Sequence, residues 1–298
     1  MFGNVPEQLT DAIKSISEDE RRFPLRYVIP AGLVIANYLR RNPTGLGSDN
    51  FFDFEPNPDG SVSYEHTVRI TMVGETLFLL RSQPGFPEFC RRFQGRDFRS
   101  TFFELFAARM FLRGGFELHA RPEIGVKRYD YDFRAIKPSD TINVEVTALT
   151  APTFSENTVK NALNAKRKQI PDDAPAIVFC VYPESWFSIG PDLVRAGLIK
   201  VANRFFSSKR INVVVFASEQ HWNPSGDNSG LGALFVTHLP IQNSEARLPI
   251  SSLDFLLNVS KDSPHSVVER KDLAGEIQSF QDSEFFQWVD MLFDGAPS

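Results

Sequence analysis

Apolar and polar residues alternate with two periods along this chain, and the change of period marks its elements. Over Phe98–Gly114 the run FRSTFFELFAARMFLRG is apolar on nearly every side, the mark of a buried helix. Beyond it, KRYDYDFRA and TINVEVTAL alternate residue by residue, which predicts two strands. The stretch SENTVKNALNAKRKQI returns to helical spacing, with Ser155 as N-cap and Val159, Ala162, Leu163 and Ile170 as the apolar stripe. The continuous run AIVFCVYP predicts a fully buried strand. From Phe98 to Pro183 the predicted order is therefore helix, strand, strand, strand, helix, strand, an α/β arrangement with a mixed central sheet flanked by helices.

The flanks read less sharply. Helices are predicted at Glu7–Ile16 and Ala31–Arg41, and NPDGSVSYEHTVRITMVGE reads as a turn, a strand and a turn at Gly74 before LFLL. The prolines and glycine of SQPGFPEF suggest a boundary, so residues 1–95 form an N-terminal α+β region, 96–240 the core and 241–298 a mostly helical extension. Strands are expected at Ile211–Ala217 and Ala233–Leu239, joined by the Gly-, Ser-, Asn- and Asp-rich Asn223–Gly232. A last helix, Gly275–Phe293, is anchored by Phe280, Phe285, Trp288, Val289 and Leu292.

Composition narrows the class. The 298 residues are 42% hydrophobic and 23% charged, with 28 phenylalanines, which suits a globular protein with a large core. A formal net charge of -5 means that any nucleic-acid binding must come from a local basic patch. Two distant cysteines, Cys90 and Cys180, exclude a zinc ribbon, argue against a disulfide framework and suggest free thiols in a reducing compartment. No signal peptide or membrane span is legible, so the expected location is cytoplasmic.

The candidate chemistry is acidic. At 100° per residue, Arg109, Arg113 and Phe102 share one side of the first core helix, and Glu104 falls opposite with Ser100, Ala107, Ala108 and Phe111. If the arginine side meets solvent or phosphate, Glu104 points inward, where a carboxylate needs a hydrogen-bond donor, a counter-ion or a metal. Period-two alternation puts Asp130, Asp132 and Arg134 on one strand face, and Asn143, Glu145 and Thr147 on one face of the next. Two strands presenting Asp132 and Glu145 towards the helix of Glu104 would gather three carboxylates, an all-oxygen set suited to Mg²⁺ or Mn²⁺. On the second helix Lys166 falls within the apolar stripe, in contrast to Lys160, Arg167 and Lys168, and Gln169 lies beside it.

Glu104 in FFELFAARMFLRGGFEL, Asp132 in YDYDF and Glu145 in INVEVTAL, followed by KNALNAKRKQI and AIVFCVYP, resemble the PD-(D/E)XK, or restriction-endonuclease-like, nuclease superfamily. The resemblance covers Phe98 to Pro183. It implies an αβββαβ core hydrolysing phosphodiester bonds, with Asp132 and Glu145 holding Mg²⁺ and Glu104 assisting. Thr147 stands where the family's lysine is expected, and Lys166 on the following helix is the substitute. Gln169, Thr147 and Arg134 are candidate substrate contacts, and KRYDYDFR and NAKRKQ candidate phosphate contacts. Many nucleases of this fold act as dimers, so the flanks are candidate recognition or homodimer segments. The expected function is a metal-dependent endonuclease acting on DNA. The alternative is an inactive nuclease-fold module that binds nucleic acid or a protein partner. Other enzyme classes lack support: there is no G-x-S-x-G, H-E-x-x-H or P-loop, SGDNSGLG reads as a hairpin loop, and His221 as an ordinary loop residue.

Overall fold

A computed structural model describes residues 5–22, 25–40, 64–95, 98–121, 125–126, 128–222, 233–256 and 283–295. Five helices come first: α1 (Glu7–Lys14), α2 (Leu25–Leu39), α3 (Tyr64–Leu80), α4 (Phe86–Gly95) and α5 (Phe98–Arg113). Then follow β1 (Glu117–Ala120), β2 (Phe133–Lys137), β3 (Asp140–Ala148), α6 (Glu156–Arg167), β4 (Ala176–Val181), α7 (Pro191–Phe205), β5 (Val213–Trp222), β6 (Ala233–Gln242) and α8 (Glu284–Asp294). The six strands form one open sheet in sequence order. β3, β4 and β5 pair in parallel, and the remaining pairings are antiparallel. The protein is thus α/β with a mixed sheet, and the order expected from Phe98 to Pro183 is the observed one.

The sheet separates two apolar layers, and period-two alternation decides which residue serves which. On β4, Ile177, Phe179 and Val181 join one core while Ala176, Val178 and Cys180 join the other. All six residues of this strand are buried, which is why its sequence is apolar without a break. Helices α1 to α5 and α8 share the first core, and α6 and α7 cover the opposite face as the crossovers β3–α6–β4 and β4–α7–β5. The first core runs continuously across residue 95, from Leu9 and Ile13 through Phe89 and Phe93 to Phe111, Val146 and Trp288.

Of the strand expected within 61–74, residues 64–74 are instead part of α3 while 61–63 lie outside the described residues, and Gly74 lies inside that helix. Its glycine marks a helix crossing. A Cβ at Gly74 would lie 2.5 Å from Ala31 Cβ and 2.6 Å from Ala31 O, so only glycine lets α2 and α3 approach this closely. α3 also overturns the view of Arg109 as solvent-facing: Arg109 is buried, and Nη2 lies 2.7 Å from Oε2 of Glu75 on α3.

The hairpin strands β5 and β6 extend beyond their expected ends, while Asn223–Gly232 and residues 275–282 lie outside the described residues. Cys180 is buried and Cys90 partly so, and both are free thiols whose pKa values burial pushes up to about 12. Among the described residues, no helix is long and apolar enough to cross a membrane.

Gly74→Ala provides a test of the α2–α3 crossing. On an unobstructed helix this change would stabilise by about 1 kcal/mol. Here overpacking against Ala31 is expected to reverse the sign, at a typical cost of about 1–3 kcal/mol. A higher melting temperature for Gly74→Ala than for the parent would refute the close crossing.

Candidate functional site

Where β2 begins, the sheet opens. Phe133 pairs with Val144, and no residue of β2 stands opposite Glu145–Ala148 of β3. Tyr129 to Asp132, expected within the strand, form a turn and a bend that precede β2. A cavity of about 560 Å³ occupies this notch, lined by Glu104, Asp130, Asp132, Glu145, Thr147, Lys166 and Gln169, with Ser100, Gly125, Val146 and Ala148 completing the wall. The three predicted carboxylates, the predicted lysine and two of the three predicted contact residues are therefore brought together.

Arg134 is not among the lining residues. Its guanidinium is held by Asn143 Oδ1 at 3.0 Å and by Asp173 Oδ2 at 2.6 Å, which leaves it a structural ion pair.

The route by which these side chains meet differs from the expected one. Ile142, Val144 and Val146 face the core of α5, so Glu145, one residue out of phase, faces α6. Glu104 and Glu145 thus start on opposite sides of the sheet and reach one cavity because β2 does not close the notch between them.

Asp132 is fixed by its own backbone and side chain. Its N–H donates to Val144 O at 3.1 Å, and its carbonyl accepts from Arg121 N at 3.0 Å. Its Oδ2 accepts from Val146 N at 2.6 Å, so the carboxylate takes over a strand donor on the edge that β2 leaves open.

Arg92, on α4, is the residue that sequence reasoning missed. Its Nη2 lies 2.5 Å from Asp132 Oδ1 and 3.2 Å from Glu104 Oε2, while Nη1 donates to Asp132 O at 2.5 Å. The side chain is 3% exposed. A signal existed: Arg92 lies between the buried Phe89 and Phe93, on the inward stripe of α4, just as Lys166 lies among Val159, Leu163 and Ile170. A cation on an apolar stripe asks for an anion in either helix.

Lys166 donates from Nζ to Glu145 Oε1. Burial opposes its charge, but Glu145 and Asp132 outweigh burial and hold its pKa above the ordinary lysine value. Glu145 is 1% exposed, and burial, reinforced by the negative charge of Asp132, pushes its carboxyl well above the usual range. Arg92 follows the same pattern as Lys166: burial lowers its pKa, and the charges of Glu104 and Asp132 raise it by more.

Two buried oxygens at the cavity have no hydrogen-bond partner among the described residues, Glu145 Oε2 and Gln169 Oε1. Both are acceptors in a cavity wall, a place where a cation or a water's proton would be bound. Among the described residues, no group of three His, Cys, Asp or Glu is placed to hold a metal ion as it stands. Arg92 pairs with Asp132 and Glu104, and Lys166 with Glu145. The donor set itself, carboxylate oxygens with one acceptor left open, suits a hard divalent cation.

Two substitutions test this charge balance. Arg92→Met strands two buried carboxylates and is expected to destabilise by about 3–5 kcal/mol in urea unfolding, with Arg92→Lys recovering part of that loss. A cost below about 1 kcal/mol for Arg92→Met would mean that the buried ion pair is not formed. For Glu145→Gln the readout is pH. Folding raises this carboxyl, so the native state gives up its proton later than the unfolded chain, and stability is lost as pH climbs from the ordinary glutamate value of about 4.3 towards the raised one. Glutamine removes that loss, so its melting temperature relative to the parent should rise with pH above that value. Stranding Lys166 adds a nearly constant offset, and a flat difference across the window would contradict the raised carboxyl.

No family model, curated protein or solved structure matches the chain, so a functional reading rests on this geometry.

Proposed function

We propose that the protein is a metal-dependent nuclease of the PD-(D/E)XK class that hydrolyses phosphodiester bonds in DNA. One observation carries the reading: Glu104, Asp132 and Glu145 meet Lys166 in one cavity, with Glu145 Oε2 buried and without a hydrogen-bond partner among the described residues. Asp132 and Glu145 would hold Mg²⁺ or Mn²⁺ with Glu104 beside them, and the ion would supply the positive charge that offsets charge developing on phosphate oxygens.

The chain's own residues divide the remaining tasks. Lys166 keeps its proton, because the neighbouring carboxylates raise its pKa, and its side chain is 25% exposed at the cavity, so Nζ can donate to a phosphate oxygen. Gln169 Oε1 can accept a proton from a water and orient it. Glu104 reaches Asp132 through the guanidinium they share, which positions both carboxylates. Thr147 lines the wall as a neutral hydroxyl, which leaves the cationic role to Lys166.

A second reading, a nuclease-fold module that binds nucleic acid or a protein partner without cleaving, is favoured by Arg92, which already serves as counter-ion to Asp132 and Glu104. Calorimetric titration with Mn²⁺ and cleavage assays on DNA with Mg²⁺ or Mn²⁺ separate the two. The nuclease reading expects a calorimetric signal lost in Glu145→Ala, and cleavage reduced at least about a hundred-fold in Asp132→Ala, Glu145→Ala and Lys166→Met. Full activity in Asp132→Ala and Glu145→Ala would sink it, and absence of both heat and cleavage in the parent would leave the binding module.

A further inference from the structure

Two contacts fix α4, and with it Arg92, against the sheet. Gly85 leads into the helix so close to β1 that a Cβ there would lie 2.4 Å from Ala120 N, and Gln83 Oε1 accepts from Leu118 N at 2.9 Å. One turn further on, the Phe89 ring sits 6.1 Å from that of Phe133, the first residue of β2, and 5.9 Å from that of Phe93. Arg92 falls between Phe89 and Phe93 in the sequence, and its side chain is 3% exposed. Protein groups rather than solvent therefore decide where the guanidinium sits.

It sits where a cation shared by two carboxyl groups would sit. Nη2 lies 2.5 Å from Asp132 Oδ1 and 3.2 Å from Glu104 Oε2, so one nitrogen bridges the pair. Nη1 donates to the carbonyl of Asp132 at 2.5 Å and to that of Arg121 at 3.4 Å. These two carbonyls orient the planar fork, which an ammonium on a flexible stem would not reproduce.

Glu145 is held differently. Lys166 donates to its Oε1, whereas Oε2 is buried in the cavity wall with no hydrogen-bond partner among the described residues. Asp132 keeps capacity for a further cation: Oδ1 meets Arg92 and Oδ2 accepts from Val146 N at 2.6 Å, but each carboxylate oxygen carries about two lone pairs. Paired ions in hydrolytic sites stand roughly 3.5–4 Å apart as one clamp, so a second ion here would have to work from Asp132 and Glu104. There it would meet the permanent charge of Arg92 at the same oxygens, and like charges in a buried site repel strongly.

We propose that the cavity binds a single divalent cation, held by Glu145 and Asp132, and that Arg92 permanently takes the part of a second between Asp132 and Glu104. This deepens the nuclease reading and rests on it for the reaction alone. Arg92 is then a positioning residue, which keeps Asp132 and Glu104 in place before an ion arrives and which no chelator removes.

Binding of Mn²⁺ to the full chain is followed by loss of the free-ion electron paramagnetic resonance signal, with folding checked by circular dichroism. The parent is expected to take one ion, and Arg92→Lys, which keeps the charge, also one. Arg92→Met releases two carboxyl groups and should take two ions, with Mn²⁺ raising its melting temperature by more than it raises the parent's. Where Arg92→Met stays unfolded even in Mn²⁺, Glu104→Gln decides. It should still take one ion, with affinity changed by less than about ten-fold, whereas Glu145→Gln should weaken binding by at least about ten-fold. Two ions in the parent, one ion in folded Arg92→Met, or loss of the ion in Glu104→Gln overturns the proposal. One ion in the parent and two in Arg92→Met, without cleavage of DNA, leaves it standing and removes the hydrolase; two ions in a parent that cleaves DNA do the reverse. A parent that binds no Mn²⁺ overturns both.

Discussion

Three carboxyl groups buried around one notch disfavour being charged together, and the position of Arg92 answers that cost. Its guanidinium touches Asp132 and Glu104 together, and a third contact, to the carbonyl of Asp132, fixes the bend at which the chain enters β2. Lys166 does the corresponding work for Glu145 from the opposite side. Two cations face three carboxyl groups, with Asp130 also in the wall, and Glu145 Oε2, without a hydrogen-bond partner among the described residues, is where a divalent cation would bind. Among the described residues no group of three such side chains is placed to hold a metal ion, and the two cations sit on carboxylate oxygens that an ion would use.

Much of the core was legible because its signals are local. Period-two runs such as TINVEVTAL state which residues share a face, and the unbroken AIVFCV states that a strand is covered on both sides. An inward Glu104 and an inward Lys166 could be found on helical wheels, since each breaks an apolar stripe. Arg92 breaks one as well, between Phe89 and Phe93, yet it lies outside the segment that resembled a nuclease and was grouped with the flank. Which side of the sheet each group would reach was not legible. That depends on where strand pairing stops, and no periodicity within KRYDYDFRA shows that only its last residues pair.

The strand expected around residues 61–74 fails for a related reason. β-branched residues and a central glycine favour an extended reading, but tertiary packing prevails: Gly74 touches Ala31, and the buried Glu75 on α3 takes Arg109 of α5. A side of α5 that a wheel diagram assigns to solvent is therefore covered by a helix unseen in the pattern. The consequence reaches the site, because α5 carries both Arg109 and Glu104. Its arginine is anchored by α3 and its glutamate by α4, which sets the rotation of the helix about its axis.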